Sequence, residues 1–271
     1  MKILVCFKTV IDYSMIPEKE WVVQDDNSID MSFARQEFNC FDESALEIGL
    51  KLSDRLGCAE LSALTIDDRR ADLFLKQLYA VGYNNAVRVY RDEGLDLRFN
   101  GLLTSKIISS YVERYGGHQL VLLGKQGAEG DNRQTGPLVA EQLGWPFISD
   151  VVDVEVDDTP GVLRITKHMD GVNIIQKISV PIVLAIGNSI NSPCLRVPTL
   201  KQKLIFSKKQ VDVIKLPELG IDPGSQGKND KTLISLDRIK PERNVIIING
   251  KDAKEKAGRM YELYLRERLN L

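Results

Sequence analysis

From residue 3 to residue 143 the chain alternates short apolar runs with longer stretches whose apolar residues recur at helical spacing. No other feature restricts its fold as much. The runs at 3–7, 61–66, 87–90 and 119–123 have the length and apolar content of buried strands. Between them, Ala45, Ile48, Gly49, Leu52 and Leu56 share one helical face, Leu75, Leu78 and Tyr79 a second, and Leu103, Ile107 and Tyr111 a third. Repeated strand–helix–strand crossovers call for a mostly parallel sheet covered by helices, an α/β fold. Asp42 is placed to cap the first helix, and Gly57 and Gly82 stand where the first two should stop.

The pattern then changes. A helix is expected from 135 to about 143, ending before Gly144 and Pro146. Strands at 151–156 and 162–168 would be joined through DDTPG, 172–179 would pair back across Asp170-Gly171, and 182–186 is apolar enough to rejoin the central sheet. Hairpins should therefore decorate one side of the sheet. The polar excursion from 12 to 39 is long for a connection and suggests a lid, a small hairpin or a partner surface. Beyond 188 the composition loosens, with a strand-like run at 244–249 and a helix from 253 to about 265. The expected division is an α/β domain with its hairpin extension over 1–206 and a C-terminal partner-docking arm over 207–271, which needs something to pack against.

Composition narrows the classes of function. A formal net charge of −2, from 36 basic and 38 acidic side chains, gives no global attraction for nucleic acid. The cysteines, Cys6, Cys40, Cys58 and Cys194, are dispersed without a CxxC, which argues against structural zinc or an iron–sulfur centre and for a reducing cytoplasm. MKILVCF reads as a first strand and no apolar run reaches membrane-spanning length, so a cytoplasmic protein without a transmembrane segment is expected. His118 and His168 lie in no catalytic or metal pattern, and partly exposed strand and turn positions are expected for them.

The junction LVLLGKQGAEGDNRQTG at 120–136 is the best pointer to a ligand. A strand end, a glycine-rich loop and a helix start put backbone amides where a phosphate could sit. Its spacing fits neither GxGxxG nor GxxxxGK[ST], so ordinary dinucleotide or P-loop chemistry does not follow. A phosphate-transferring enzyme would also need a metal-binding set of carboxylates that is not evident.

Four segments together resemble the β subunit of electron-transfer flavoproteins: VCFKTVIDY at 5–13, NCFDESALE at 39–47, LLGKQGAEGDNRQTGPLVAEQLGWP at 122–146 and TKHMDGVNIIQKISVPIVLA at 166–185. The resemblance covers nearly the whole chain. It implies a Rossmann-like domain in a heterodimer whose α subunit holds most of an FAD at the interface. The β subunit contains AMP in ordinary members and a second FAD in electron-bifurcating ones. It also implies an electron-transfer component rather than a stand-alone enzyme, working between an acyl-CoA-type or related flavin-containing dehydrogenase and a downstream redox acceptor. No catalytic residue and no metal are then required. A reading of a different class is a nucleotide-responsive assembly protein that keeps the fold without redox activity.

Carried over residue by residue, the resemblance places nucleotide contacts at Cys6, Phe7 and Lys8, at Asn39, Phe41 and Asp42, and at Thr65 and Ile66. The long motif adds Gly124, Gln126, Gly130, Asp131, Asn132, Gln134, Thr135 and Gly136, with AMP slightly favoured by Asn132 and the Gln-Thr-Gly ending. Asp131 would orient the loop or accept a ribose hydroxyl. Tyr13 matches an aromatic that approaches the partner's flavin. Cys40 stands where the family commonly has proline, and GDNRQTG mixes features of the AMP and FAD forms. Arg133 could neutralise a diphosphate or form a surface salt bridge at the helix start. Residues 191–209 resemble the segment that recognises a dehydrogenase, with Leu195 or Val197 as its apolar anchor and Lys201, Lys203, Lys208 and Lys209 around it.

Overall fold

The first apolar run becomes β1 (Lys2–Cys6), which lies deep inside the sheet, with strands on both sides and helices over both faces. A computed structural model describes residues 1–25, 27–91, 97, 99–127, 132–187, 193–222, 233–237 and 245–269. After β1 the chain forms a small antiparallel hairpin, β2 (Thr9–Ile11) with β3 (Gln36–Phe38), so the long excursion is closed at its base by strand pairing. Helix α1 (Cys40–Leu56) crosses over to β4 (Glu60–Asp67), α2 (Asp72–Val81) to β5 (Asn85–Tyr90), and α3 (Gly101–Tyr115) to β6 (His118–Gly124). Then follow α4 (Thr135–Leu143), β7 (Phe147–Val156), β8 (Val162–Met169), β9 (Val172–Ser179), β10 (Ile182–Ile186), α5 (Leu200–Phe206) and β11 (Asp212–Ile214).

The main sheet has nine strands in the order β11-β5-β4-β1-β6-β10-β7-β8-β9. Its central pairs are parallel, with Ile3 opposite both Leu61 and Leu120. Alternate residues of each strand feed opposite layers. Ile3, Val5, Leu120 and Leu122 face the residues of α1 and α2, including Leu46, Leu52, Leu75 and Leu78. Leu4, Cys6, Val121 and Val183 face Ile107, Ile108 and Val112 of α3 and Val139 of α4. Sheet and helices therefore make three layers with an apolar core on each side of the sheet. Helix α1 stops where expected: Gly57 takes the left-handed conformation, φ 66°, and its N–H bonds Ser53 O.

The hairpins continue the sheet rather than covering it. β7 begins at Phe147, before the expected 151, because its first part runs parallel to β10. Its second part turns antiparallel to β8, across an irregularity next to Asp150, whose φ is 58°. Asp170 and Gly171, both at positive φ, make the tight turn between β8 and β9. At the opposite edge β11 pairs parallel with β5, and Ile214, Leu216, Leu219 and Ile221 are buried in the core on the α3 face. The α/β body thus extends past Phe206.

Residues 23–28 and 235–271 group as a second unit. Its helix α6 (Ala253–Met260) is capped by Asp252, which accepts a 2.8 Å bond from Glu255 N, and passes through a π-turn at Tyr261–Leu265 into α7 (Arg266–Leu269). Helix formation near 253–265 agrees with its periodicity. The strand expected at 244–249 does not form in its described part, where Val245, Ile246 and Ile247 are exposed. A strand needs a neighbour to take its backbone hydrogen bonds, and β-propensity alone supplies none. Among the described residues no helix is long and apolar enough to cross a membrane.

Candidate nucleotide site

Leaving β1, the sheet runs through β4 and β5 on one side and through β6 and β10 on the other, so the strand order reverses at β1. In parallel sheets a crevice opens outside the strand ends at such a point. Here a cleft of about 320 Å³ is lined by Cys6–Lys8 after β1, Thr65–Asp67 at the end of β4, and Leu123 and Gly124 at the end of β6. Thr9, Val10, Ile11 and Gln36 of the β2–β3 hairpin form one wall. Gly101, Thr104 and Ile108 of α3 form another, and the Lys125–Gly127 and Asn132–Thr135 segments close the α4 side.

Asp42 organises this end of the sheet. Its expected helix-capping role is not what the structure shows: Asn39 holds the cap position, and Asp42 lies inside the first turn, buried. Its Oδ2 accepts from Lys8 N at 3.0 Å and its Oδ1 from Gly124 N at 2.7 Å, so one carboxylate joins the ends of β1 and β6. Burial pushes its pKa up to about 6, against the opposing pull of those two amides, Asn39 and the Lys8 charge. Gly124 is demanded by this approach. A Cβ there would fall 2.7 Å from Phe41 Cβ and 2.8 Å from Asp42 N, closer than real Cβ atoms come. Cys40 occupies the first helical turn position, where proline would be equally at home.

Asn39 does not cap α1 with its side chain either. Its Nδ2 donates 2.9 Å to Gln126 O and thereby holds the glycine-rich segment against the helix. Two buried polar atoms in the cleft lining, Thr65 Oγ1 and Gln126 Oε1, have no hydrogen-bond partner among the described residues. Buried polar atoms are rarely left so, and a ligand is one way to satisfy them. Cations also border the cleft: Lys8, Arg70, Arg91, Lys125 and Arg133. Arg70 is engaged by Asp68, with Nε and NH2 at 3.1 and 2.8 Å from its oxygens, and Lys125 pairs with Asp150 at 2.5 Å. The buried Cys6 thiol is raised far above its usual pKa by burial and then by Asp42, so it stays protonated and presents no nucleophile.

Most residues expected at the site meet there: Cys6, Phe7, Lys8, Asn39, Asp42, Thr65, Ile66, Gly124, Gln126, Asn132, Gln134 and Thr135 line the cleft. Phe41 lies behind Gly124, with Lys125 Nζ 5.9 Å above its ring. Gly136 sits in α4, where a Cβ would press on Phe147 at 2.8 Å. Gly130 and Asp131 lie outside the described residues. Tyr13 is away from the cleft lining and stacks on Trp21, with ring centroids 5.9 Å apart. Of the alternatives for the 12–39 excursion the small hairpin is the one that forms, but its place at the cleft was not expected, and neither Asp67 nor Arg70 was singled out. Thr9 Oγ1 donates to Asp67 Oδ2 at 2.7 Å, a link between the hairpin and β4. The position of Asp67 right after the β4 run was the available signal.

Neither histidine is near this cleft. His118 is buried, not partly exposed as expected, and its ring packs 5.7 Å from that of Tyr111. In the expected docking segment Leu195 is 6% exposed and part of the core, whereas Val197 is 80% exposed.

The electron transfer flavoprotein domain family matches residues 29–219, which include every strand of the nine-stranded sheet except β1 and all of the cleft lining except Cys6–Ile11. A putative electron transfer flavoprotein subunit, YgcR, of Escherichia coli (strain K12) is 28% identical over 273 residues, covering 99% of each chain. The Homo sapiens electron transfer flavoprotein subunit beta is 28% identical over 225 residues, 82% of this chain and 84% of its own. The acryloyl-CoA reductase electron transfer subunit gamma of Anaerotignum propionicum is 28% identical over 246 residues, 88% of this chain and 83% of its own. A domain match over most of the chain, joined to a cleft built from the motifs that first suggested it, places this protein in the electron transfer flavoprotein β-subunit family.

Proposed function

We propose that the cleft holds AMP and that the chain acts in a heterodimer with an electron transfer flavoprotein α subunit. That dimer would carry electrons from an acyl-CoA-type or related dehydrogenase to another redox protein. The observation that carries the nucleotide reading is the pair of buried atoms without partners, Thr65 Oγ1 and Gln126 Oε1, in a cleft at the strand-order reversal. The donor set suits an adenine nucleotide. Gln126 Oε1 would accept from an amino or hydroxyl group, Thr65 Oγ1 can do either, and the amides at the start of α4 suit a phosphate. A volume of about 320 Å³ is at the small end for ligand sites and favours a mononucleotide over a second FAD.

The flavin held with the α subunit would supply the redox chemistry, taking up and releasing electrons. This chain's residues bind and orient. Asp42 and Asn39 set the cleft floor, Tyr13 would pack against the partner's flavin, and Val197 would present an apolar anchor to a dehydrogenase. Co-expression with an α subunit tests the reading: a flavin-containing heterodimer should form, and a pre-reduced acyl-CoA dehydrogenase should reduce its flavin in stopped flow. An assembled heterodimer that no flavin dehydrogenase reduces would instead favour the assembly role without redox activity.

A further inference from the structure

Arg196 ties the segment that follows the sheet to helix α1. Its backbone N–H donates to Glu47 Oε2 at 2.9 Å, its Nε and NH2 reach Glu47 Oε1 at 3.1 and 2.8 Å, and its NH1 reaches Asp54 Oδ2 at 2.8 Å. Glu47 is buried, so this planar fork answers a carboxylate with little water around it. The chain diverges on either side of Arg196, with Leu195 in the core and Val197 in solvent. It then enters α5 through a capping box in which Thr199 Oγ1 accepts from Gln202 N and Gln202 Oε1 accepts from Thr199 N. The far end of α5 is fixed to α2. Phe206 stacks on Tyr79 with centroids 6.3 Å apart, Lys209 Nζ lies 3.5 Å from the Tyr79 ring centre, and Lys76 Nζ donates to Ser207 O at 2.8 Å.

Between these two anchors Val197, Leu200 and Leu204 hold apolar side chains in solvent, with exposures of 80, 74 and 64%. Exposed Lys201, Lys203 and Lys208 lie among and beside them. An apolar stripe fixed at both ends and edged by lysines fits a partner pocket with an acidic rim. We propose that Arg196, through its ion pair with Glu47, is the positioning residue for docking: it sets the pose of residues 197–206 before the dehydrogenase arrives. This rests on the docking role proposed above. A segment held in its bound pose avoids the ordering cost that a loose one would meet on association.

The test uses the assembled heterodimer carrying Arg196→Gln, Arg196→Lys, Glu47→Gln with Arg196→Gln, or Leu200→Ser. Hydrogen exchange followed by mass spectrometry should quicken about tenfold over 197–206 in Arg196→Gln, with β1, β6 and α3 unchanged. Arg196→Lys keeps the charge without the fork and should fall between that variant and wild type. A medium-chain acyl-CoA dehydrogenase pre-reduced with octanoyl-CoA serves as the donor. Its half-saturating concentration should rise about tenfold in Arg196→Gln at a limiting rate within about twofold of wild type, and the double variant should be no worse. Unchanged exchange over 197–206 overturns the proposal, as does faster exchange spread through α1 and β1, which would mark a merely structural role. A half-saturating concentration raised by Leu200→Ser but not by Arg196→Gln overturns the positioning role and leaves docking standing. If Leu200→Ser has no effect, the docking role itself fails and the proposal falls with it.

Discussion

Asp42 Oδ1 accepts a 2.7 Å hydrogen bond from the backbone N–H of Gly124, a residue 82 positions further along the chain. The other oxygen takes Lys8 N, so the carboxylate joins the end of β1, where the strand order reverses, to the end of its neighbour β6. A helix residue thereby fixes the spacing of the backbone from which the cleft is built.

Asp42 makes stability depend on pH with a definite sign. Its pKa rises from 3.8 to about 6, so between those values the folded state binds more protons than the unfolded state. Its contribution is fully present below the unfolded pKa and is lost as pH rises through about 6, by an amount on the order of 3 kcal/mol. Urea unfolding of wild type and Asp42→Asn across this range should show the wild-type advantage shrinking as pH rises and level above it. An advantage that grows with pH would contradict the assignment.

Gly124→Ala should be costly despite the small change. The added methyl meets Phe41 Cβ and the Asp42 backbone, neither of which is the loose end of a flexible side chain. A loss of about 1–3 kcal/mol in unfolding free energy is expected, together with reduced nucleotide content after purification. Wild-type stability and nucleotide content in this variant would show that the approach of α1 to β6 is not needed.

Thr65→Val separates folding from binding. The hydroxyl is buried without a partner among the described residues, so replacing it with a methyl should leave the nucleotide-free protein as stable or up to about 1 kcal/mol more stable. Nucleotide affinity should fall about fivefold to tenfold, the worth of one neutral hydrogen bond. Calorimetric titration of AMP checks this, and unchanged affinity would remove Thr65 from the site.

His118 opposes Asp42 in acid. Burial, and then the Lys2 charge, lowers its pKa below the usual 6.5, so its contribution is present at neutral pH and lost as pH falls through the lowered folded value. His118→Gln should flatten the acid limb of the unfolding profile, and an unchanged limb would rule His118 out as its source.

The central strands and their crossovers were legible because buried parallel strands and amphipathic helices leave different periods in the sequence. Helix α4 runs Thr135–Leu143 as expected, since Gly144 and Pro146 end it locally. Long-range contacts were not legible. Asp42 reads as a cap from its neighbours, and only the fold brings Lys8 and Gly124 to it. The parallel start of β7 depends on β10, which comes later in the chain, and the short β11 becomes a strand through β5. Val245–Ile247 shows the converse, a strand-like run for which the described residues supply no pairing strand. Leu195 and Val197 are both apolar, and only the fold, which pairs Arg196 between them with Glu47, shows that Leu195 is the one turned inward.

Nucleotide content of the purified heterodimer tests the central claim most directly. Denaturation followed by mass spectrometry of the released small molecules should give one AMP and one FAD per heterodimer, with AMP lost selectively from Thr65→Val on dilution. Two FAD would replace AMP with a flavin in the cleft, and a correctly assembled heterodimer that releases no adenine nucleotide beyond the FAD of the α subunit would contradict the account.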